Sequence, residues 1–334
     1  MKIGIVFDIK EDYGIESGNI DYLDFCHLSE AESAKKNLEL AGYETIFIGN
    51  PRTLTDHIRN NTIHCDIVYN ISEGYKSRNR EGLVPSLCES FAIPYTGTDA
   101  FGLSFTLHKY QTSCFLKCRG IPVANSFLFD PSLYNINMIP NLITWHKLNF
   151  PLILKPNHEG SSMGVTLVER IANIGSAIEI LLSKYNQEII IENFVRGPEI
   201  SVCILGTGNE AYVLGIIQYR HLNGGEIDIF TNEIKKPGAH FMTTPQISLE
   251  LTHRLEICSI EIHKMLGLRD FSRIDWKIKG NTPYFLEATP LPDMSEGTEF
   301  EWAAKQKGHS YSYVFDSIMK SAMKRYPELS LLPK

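Results

Sequence analysis

Asp275 and Glu287 are the side chains whose surroundings first suggest chemistry. Asp275 is the lone acid in an apolar, strand-like run from Phe271 to Ile278. Glu287 ends the next apolar run, Tyr284 to Leu286, and a proline-rich turn follows it. The short spacer Lys279-Gly-Asn-Thr-Pro283 predicts a hairpin, which would put the two carboxylates on adjacent strands. Two carboxylates converging beside a loop suit a hard divalent cation such as magnesium, which keeps waters and binds nucleotide phosphates. A pair of solvated edge-strand acids leaves the same trace in a sequence, so both readings stand at this point.

A second constellation lies upstream. Lys155 ends the apolar run that starts at Phe150, and Gly160-Ser161-Ser162-Met163-Gly164 follows it in a loop. Small residues let backbone N–H groups approach phosphate oxygens, serine hydroxyls add donors, and the lysine supplies a cation. An ordinary hairpin loop is the alternative. Further on, Ile190-Ile-Glu192-Asn193-Phe194-Val195 is an apolar strand ending in an acid and an aromatic. Its backbone could bond an adenine edge, and Glu199 could take ribose hydroxyls; a strand and turn with a solvated Glu199 is the alternative.

Composition bounds what these groups can serve. The 334 residues exceed one small core, so two or three lobes are expected. A hydrophobic content of 43%, a charged content of 21% and a net charge of −7 fit a soluble globular protein without a basic field for nucleic acid. No apolar run is long enough to span a bilayer. Met1-Lys-Ile-Gly-Ile-Val-Phe7 runs at once into Asp8, and it reads as a first strand and not a signal peptide. Seven cysteines with no CxxC spacing read as reduced thiols of a cytoplasmic protein, not a zinc site. The histidines show no metal spacing, and His27 and His108 read as ordinary helix or loop residues. Trp276 follows Asp275 and should point to the opposite strand face, into packing.

The elements that must position these groups form an α/β chain. Strands are expected at Lys2–Phe7, Glu44–Ile48 and Ile67–Ile71, with a helix over Ser29–Ala41 and another through Ser86–Phe91. This alternation implies a parallel sheet with right-handed crossovers. A single helix is expected over Phe105–Arg119, a strand at Phe150–Lys155, another at Val165–Val168 and a helix over Ala172–Tyr185. The last part should hold strands at Glu188–Glu192, Glu199–Leu205, Ala211–Gln218, Ile274–Lys279 and Tyr284–Glu287, with a helix over Leu249–Leu266. Lobe boundaries are expected at 1–97, 98–187 and 188–334.

In order along the chain, Asp66–Gly74, Arg78–Glu81, Ile93–Gly97, His108-Lys109, Phe150–Gly164, Glu192–Glu199, Arg273–Asp275 and Phe285–Met294 together resemble the ATP-grasp superfamily. Within it the chain is similar to D-alanine–D-alanine ligases, from Asp66 to about Gly308. The resemblance implies a three-lobed ATP-grasp architecture, with an N-terminal parallel α/β domain and two mixed lobes sandwiching ATP. It also implies ATP-dependent joining of a carboxylate to an amine through an acyl phosphate, with amino-acid-like substrates, no nucleic acid or membrane partner, and a homodimer. Lys109 and Lys155 would contact ATP phosphates, the loop of Gly160, Ser161 and Ser162 would cover them, and Glu159 would also belong to the ATP site. Glu192, Asn193, Phe194 and Val195 would frame adenine, and Glu199 the ribose. Asp275, Glu287 and Thr289 would bind Mg2+, with Mn2+ as a substitute. Arg273 would face the intermediate, Ser161 would orient the first substrate, and the backbone at Asp293 and Met294 would help form an oxyanion site. Lys235, in Glu233-Ile-Lys235, would be a lid lysine, with Lys236 as the registration alternative. Thr298 would take the second substrate's carboxylate.

Two departures qualify the resemblance. The family's Glu-x-Asn metal motif reads Glu287-Ala-Thr289 here. The family's substrate-anchoring glutamate after the first strand has no clear counterpart, and Asp21, Asp24 and Glu30 are the candidates beside simple solvated acids. A ligase with a non-alanine acid in its first site, and a nucleotide-binding homologue without catalysis, therefore stand as alternatives.

Overall fold

The computed structural model describes residues 1–16, 25–229 and 238–332. Its first sheet is parallel. Strand β1 (Lys2–Val6) lies between β2 (Glu44–Gly49) and β3 (Ile67–Asn70), joined through helices α1 (Leu28–Leu40) and α2 (Pro51–Arg59), and α3 (Leu83–Ser90) follows. Helix α2 has no counterpart in the sequence-based expectation, although its start signals are complete. Pro51 occupies the first turn, and the Asn50 side chain accepts the N–H groups of Arg52 (3.0 Å) and Thr53 (3.1 Å).

The expected single helix over Phe105–Arg119 is instead two, α4 (Ala100–Leu107) and α5 (Lys109–Cys118), broken at His108 with φ −81° and ψ 78°. The reason lies elsewhere in the chain. Asn157 accepts the Lys109 N–H at its carbonyl (3.2 Å) and the Tyr110 N–H at its Oδ1 (3.0 Å), which starts a new helix there.

The second sheet is antiparallel, with order β4 (Ser126–Phe129), β7 (Ile189–Asn193), β5 (Leu152–Pro156) and β6 (Thr166–Val168). Helices α6 (Ile139–Trp145) and α7 (Ile174–Tyr185) bury Ile139, Ile143, Ile178 and Leu181 against it. The third sheet is also antiparallel, with order β10 (His240–Thr243), β9 (Tyr212–His221), β8 (Glu199–Leu205), β11 (Phe271–Lys279) and β12 (Thr282–Thr289). Helix α8 (Leu249–Met265) packs on one face of it over Ile200, Val202, Ile274 and Trp276, together with Leu116 of α5. Trp276 is fully buried and donates its ring N–H to Ser259 Oγ (2.9 Å), as its strand parity requires. The other face meets α9 (Glu299–Gln306) and α10 (Tyr311–Met323), which reach back to cover the first sheet in a shared core of Ile3, Ile5, Leu38, Phe271, Phe300 and Phe315.

Asp270 ties these parts together. It is fully buried, receives the Gly97 N–H (2.7 Å), pairs with Arg325 (2.7 Å to each oxygen) and accepts hydroxyls from Thr207 (3.0 Å) and Ser321 (2.7 Å). Among the described residues no helix is long and apolar enough to cross a membrane.

Candidate active site

The hairpin β11–β12 carries the acids. Its two-residue turn leaves Lys279 opposite Thr282, and the register runs back to place Asp275 opposite Glu287 and Arg273 opposite Thr289. A bulge between Asp275 and Trp276 accommodates the extra residue Leu286, so Phe285 packs inward against Trp276 while Glu287 faces the cleft. Period-two alternation then puts Arg273 and Asp275 on the cleft side of the sheet.

Each charge has a defined partner. Arg273 Nε contacts both Asp275 oxygens (3.0 and 3.1 Å), and its terminal nitrogen reaches Glu299 Oε1 (2.9 Å). Ser201, directly opposite Asp275 on β8, donates to Asp275 Oδ1 (2.7 Å). Lys109 Nζ lies 2.7 Å from Glu287 Oε2, Lys155 Nζ 2.8 Å from Glu192 Oε1, and Lys277 Nζ 3.3 Å from Glu199 Oε2. Burial, partly offset by Arg273 and reinforced by Glu287, pushes the Asp275 carboxyl up to about 6. Burial acts the same way on Glu287, but the Lys109 ammonium outweighs it and holds that carboxyl at about 2.

Two adjoining cavities flank the hairpin. One, of about 110 Å³, lies between the second and third sheets and is lined by Lys155, Glu192, Phe194, Val195, Leu286 and Lys277 among others. Its apolar walls and polar ends suit a nucleotide base with its sugar. The other, of about 350 Å³, holds Lys109, Arg273, Glu287, Thr289, Asp293 and Thr298, with Gly160, Ser161 and Ser162 over it. Glu159 and Asn193 line the first cavity, and Glu199 lines both. Ser161 and Ser162 sit at φ +50° and +59°, a strained backbone typical of functional loops.

The donor set fits magnesium. Asp275, Glu287 and the Thr289 hydroxyl, side by side on β11 and β12, would offer hard oxygen donors. That leaves most of an octahedral shell to phosphate oxygens and water, the mode magnesium favours.

Several residues fall differently from the sequence-based expectations. Met294 is fully buried, its N–H already donates to Glu30 Oε1 (3.0 Å), and its carbonyl accepts Ser33 and Tyr311 hydroxyls, so its backbone is taken by internal bonds and does not stand open as an oxyanion donor. Asp293 lines the cavity but spends Oδ1 on the Ser295 N–H (2.8 Å). Thr298 precedes α9 and donates to the Ser295 carbonyl (2.8 Å). Lys235, its alternative Lys236, Asp21 and Asp24 lie outside the described residues. Glu299, Ser201, Lys277 and Tyr219 belong to the site and were not expected. Ser201 had a signal: it is two residues past Glu199 on a strand, hence on the same face. His27 and Glu30, at the start of α1, also line the larger cavity.

Residues 115–320 match the family model described as D-ala D-ala ligase C-terminus. An uncharacterised protein of Sinorhizobium fredii is 29% identical over 264 residues, covering 78% of this chain and 75% of its own. A D-alanine–D-alanine ligase of Desulforamulus reducens is 26% identical over 319 residues, covering 89% of this chain and 98% of its own. The crystal structure of the Bacillus anthracis D-alanine–D-alanine ligase complexed with ATP superposes with a TM-score of 0.75 at 22% identity, covering 98% of this chain and 99% of that one, which establishes the fold as theirs. With well over half of its length matched by the family model, the chain belongs to the D-ala D-ala ligase C-terminus family, a family of ATP-dependent, amide-bond-forming ligases.

Proposed function

We propose that the protein joins the carboxylate of one amino-acid-like molecule to the amine of a second, with ATP as the energy source. The observation that supports this most is the grouping of Arg273, Asp275, Glu287 and Thr289 on one face of a hairpin between two cavities, with Lys109, Lys155 and the Gly160–Ser162 loop around them. In the first step a substrate carboxylate oxygen attacks the γ-phosphorus, the bond to the bridging oxygen breaks, and ADP leaves. In the second, the neutral amine attacks the acyl carbon, inorganic phosphate leaves, and the nitrogen loses a proton to give the amide.

Phosphoryl transfer needs chiefly positioning and charge neutralisation, and this chain supplies both. Lys109 and Lys155 hold phosphate oxygens, with the serine loop closing over them. Val195 and Glu192 frame the adenine, and Glu199 takes the ribose. Asp275, Glu287 and Thr289 would hold magnesium, which when bound screens the phosphate charge. Arg273 faces the oxygen on which negative charge collects during amine attack, and Glu299 and Asp275 fix its plane.

D-alanine is the acid named for the curated relative. Phe25, Cys26, His27 and Glu30 line the larger cavity, and the missing counterpart of the family's anchoring glutamate supports a second reading in which a non-alanine acid is the first substrate. A screen of single and paired amino acids of both hands, with phosphate release and product mass as readouts, tests the proposal. An amide from at least one pair is expected; ATP binding with no amide from any pair would overturn it.

A further inference from the structure

His108 and His158 meet at the point where the three parts of the site join. Their rings lie with centroids 4.2 Å apart and planes at 70°, and His108 Nδ1 is 3.1 Å from His158 Nε2. His108 Nε2 is 3.1 Å from the Arg78 carbonyl oxygen in the loop after β3. That oxygen can only accept, so Nε2 carries the hydrogen. In a neutral ring Nδ1 then accepts, and His158 Nε2–H is its donor. The Arg78 carbonyl thus sets the tautomer of His108. Asn157 Nδ2 donates one hydrogen to Gln111 Oε1 (3.2 Å) and also lies 3.2 Å from His158 Nε2. The groups facing the pair are Arg78, Arg80, Lys109 and Glu188; burial and the three cations hold His158 down at about 3, and burial lowers His108 too, so both rings are neutral near pH 7.

The neighbours of each ring give the contact its meaning. His108 is the break between α4 and α5, and the next residue is Lys109, the partner of Glu287. His158 is followed by Glu159 and the Gly160–Ser162 loop. Its own backbone is clamped on both sides: its N–H donates to Gln187 Oε1 (2.7 Å), and its carbonyl accepts Arg80 (2.9 Å). The ring-to-ring bond therefore spans the lysine-bearing helix start and the loop start, and the Arg78 contact adds the substrate-side loop that leads to Glu81 in the larger cavity.

We propose that His108 and His158 are a positioning pair that holds Lys109 and the Gly160–Ser162 loop at one spacing, the spacing an ATP triphosphate requires. This rests on the ATP-dependent reading above. The test uses the full-length protein with Mg-ATP and separates the two bonds of His108. In His108→Asn the amide falls at the place of Nδ1 and keeps an acceptor for His158. In His108→Gln it falls at the place of Nε2 and keeps only the donor to Arg78.

Calorimetric ATP affinity, steady-state KM for ATP and for the carboxylate substrate, and melting temperature are measured for both, for His158→Phe and for the double variant His108→Gln/His158→Phe. His108→Gln and His158→Phe should weaken ATP binding by about tenfold, the loss expected for one buried hydrogen bond. The double variant should be no worse than the weaker single, the KM for the carboxylate should hold, and His108→Asn should stay within about twofold of wild type. Unchanged ATP affinity in His108→Gln, or equal losses in His108→Gln and His108→Asn, would overturn the inference. If His158→Phe fails to fold, the Asn and Gln pair alone decides. Wild-type protein that binds no ATP would sink the proposed function itself, a result distinct from the failure of this pair.

Discussion

Asp275 and Glu287 lie directly opposite one another across β11 and β12, yet one carboxyl is driven up by burial and the other is held down by a lysine. Like charges side by side repel, and Arg273, Lys109 and the Ser201 hydroxyl hold the two in place. In the proposed mechanism this pair would hold the divalent cation. Asp275→Asn or Glu287→Gln should each lower turnover by about a hundredfold or more, and chelation of divalent metal should abolish activity until Mg2+ or Mn2+ is restored. Thr289→Asn should keep activity and lower the Mg2+ concentration needed for half-maximal rate. Turnover that is indifferent to chelator would remove the metal from the account.

Asp270 gives a stability prediction independent of catalysis. Asp270→Ala would strand Arg325 and free the Gly97 N–H, and it should cost about 3–5 kcal/mol in urea unfolding. A loss under about 1 kcal/mol would mean that the hub is solvated in solution.

Glu30 predicts a pH dependence of stability. Burial, reinforced by Asp293, pushes its carboxyl up to about 8. Between its unfolded value near 4.5 and that folded value, the native state holds a proton that the unfolded chain has released. Its contribution is therefore full below the unfolded value and lost as pH rises through about 8. Melting temperature should fall across that window in wild type relative to Glu30→Gln, whose profile should be flatter. Parallel profiles would place the Glu30 carboxyl in an ordinary range.

Much of the site can be read along the chain, and the reason is local. Alternating apolar runs and a Gly-Asn turn suffice for the hairpin that pairs Asp275 with Glu287. Lys155 and the loop after it sit within a dozen residues of each other. What escapes such reading comes from distance. Glu299 reaches Arg273 because α9 packs against the third sheet, and Met294 loses its N–H to Glu30 from 264 residues away. The helix break at His108 depends on Asn157, a cap that helical periodicity does not reveal.

The central claim is that a substrate carboxylate is phosphorylated before the amine attacks. With the carboxylate labelled by 18O and the products resolved by mass, one labelled oxygen should appear in the inorganic phosphate for each amide formed. Amide formation with no label in the phosphate would contradict the claim.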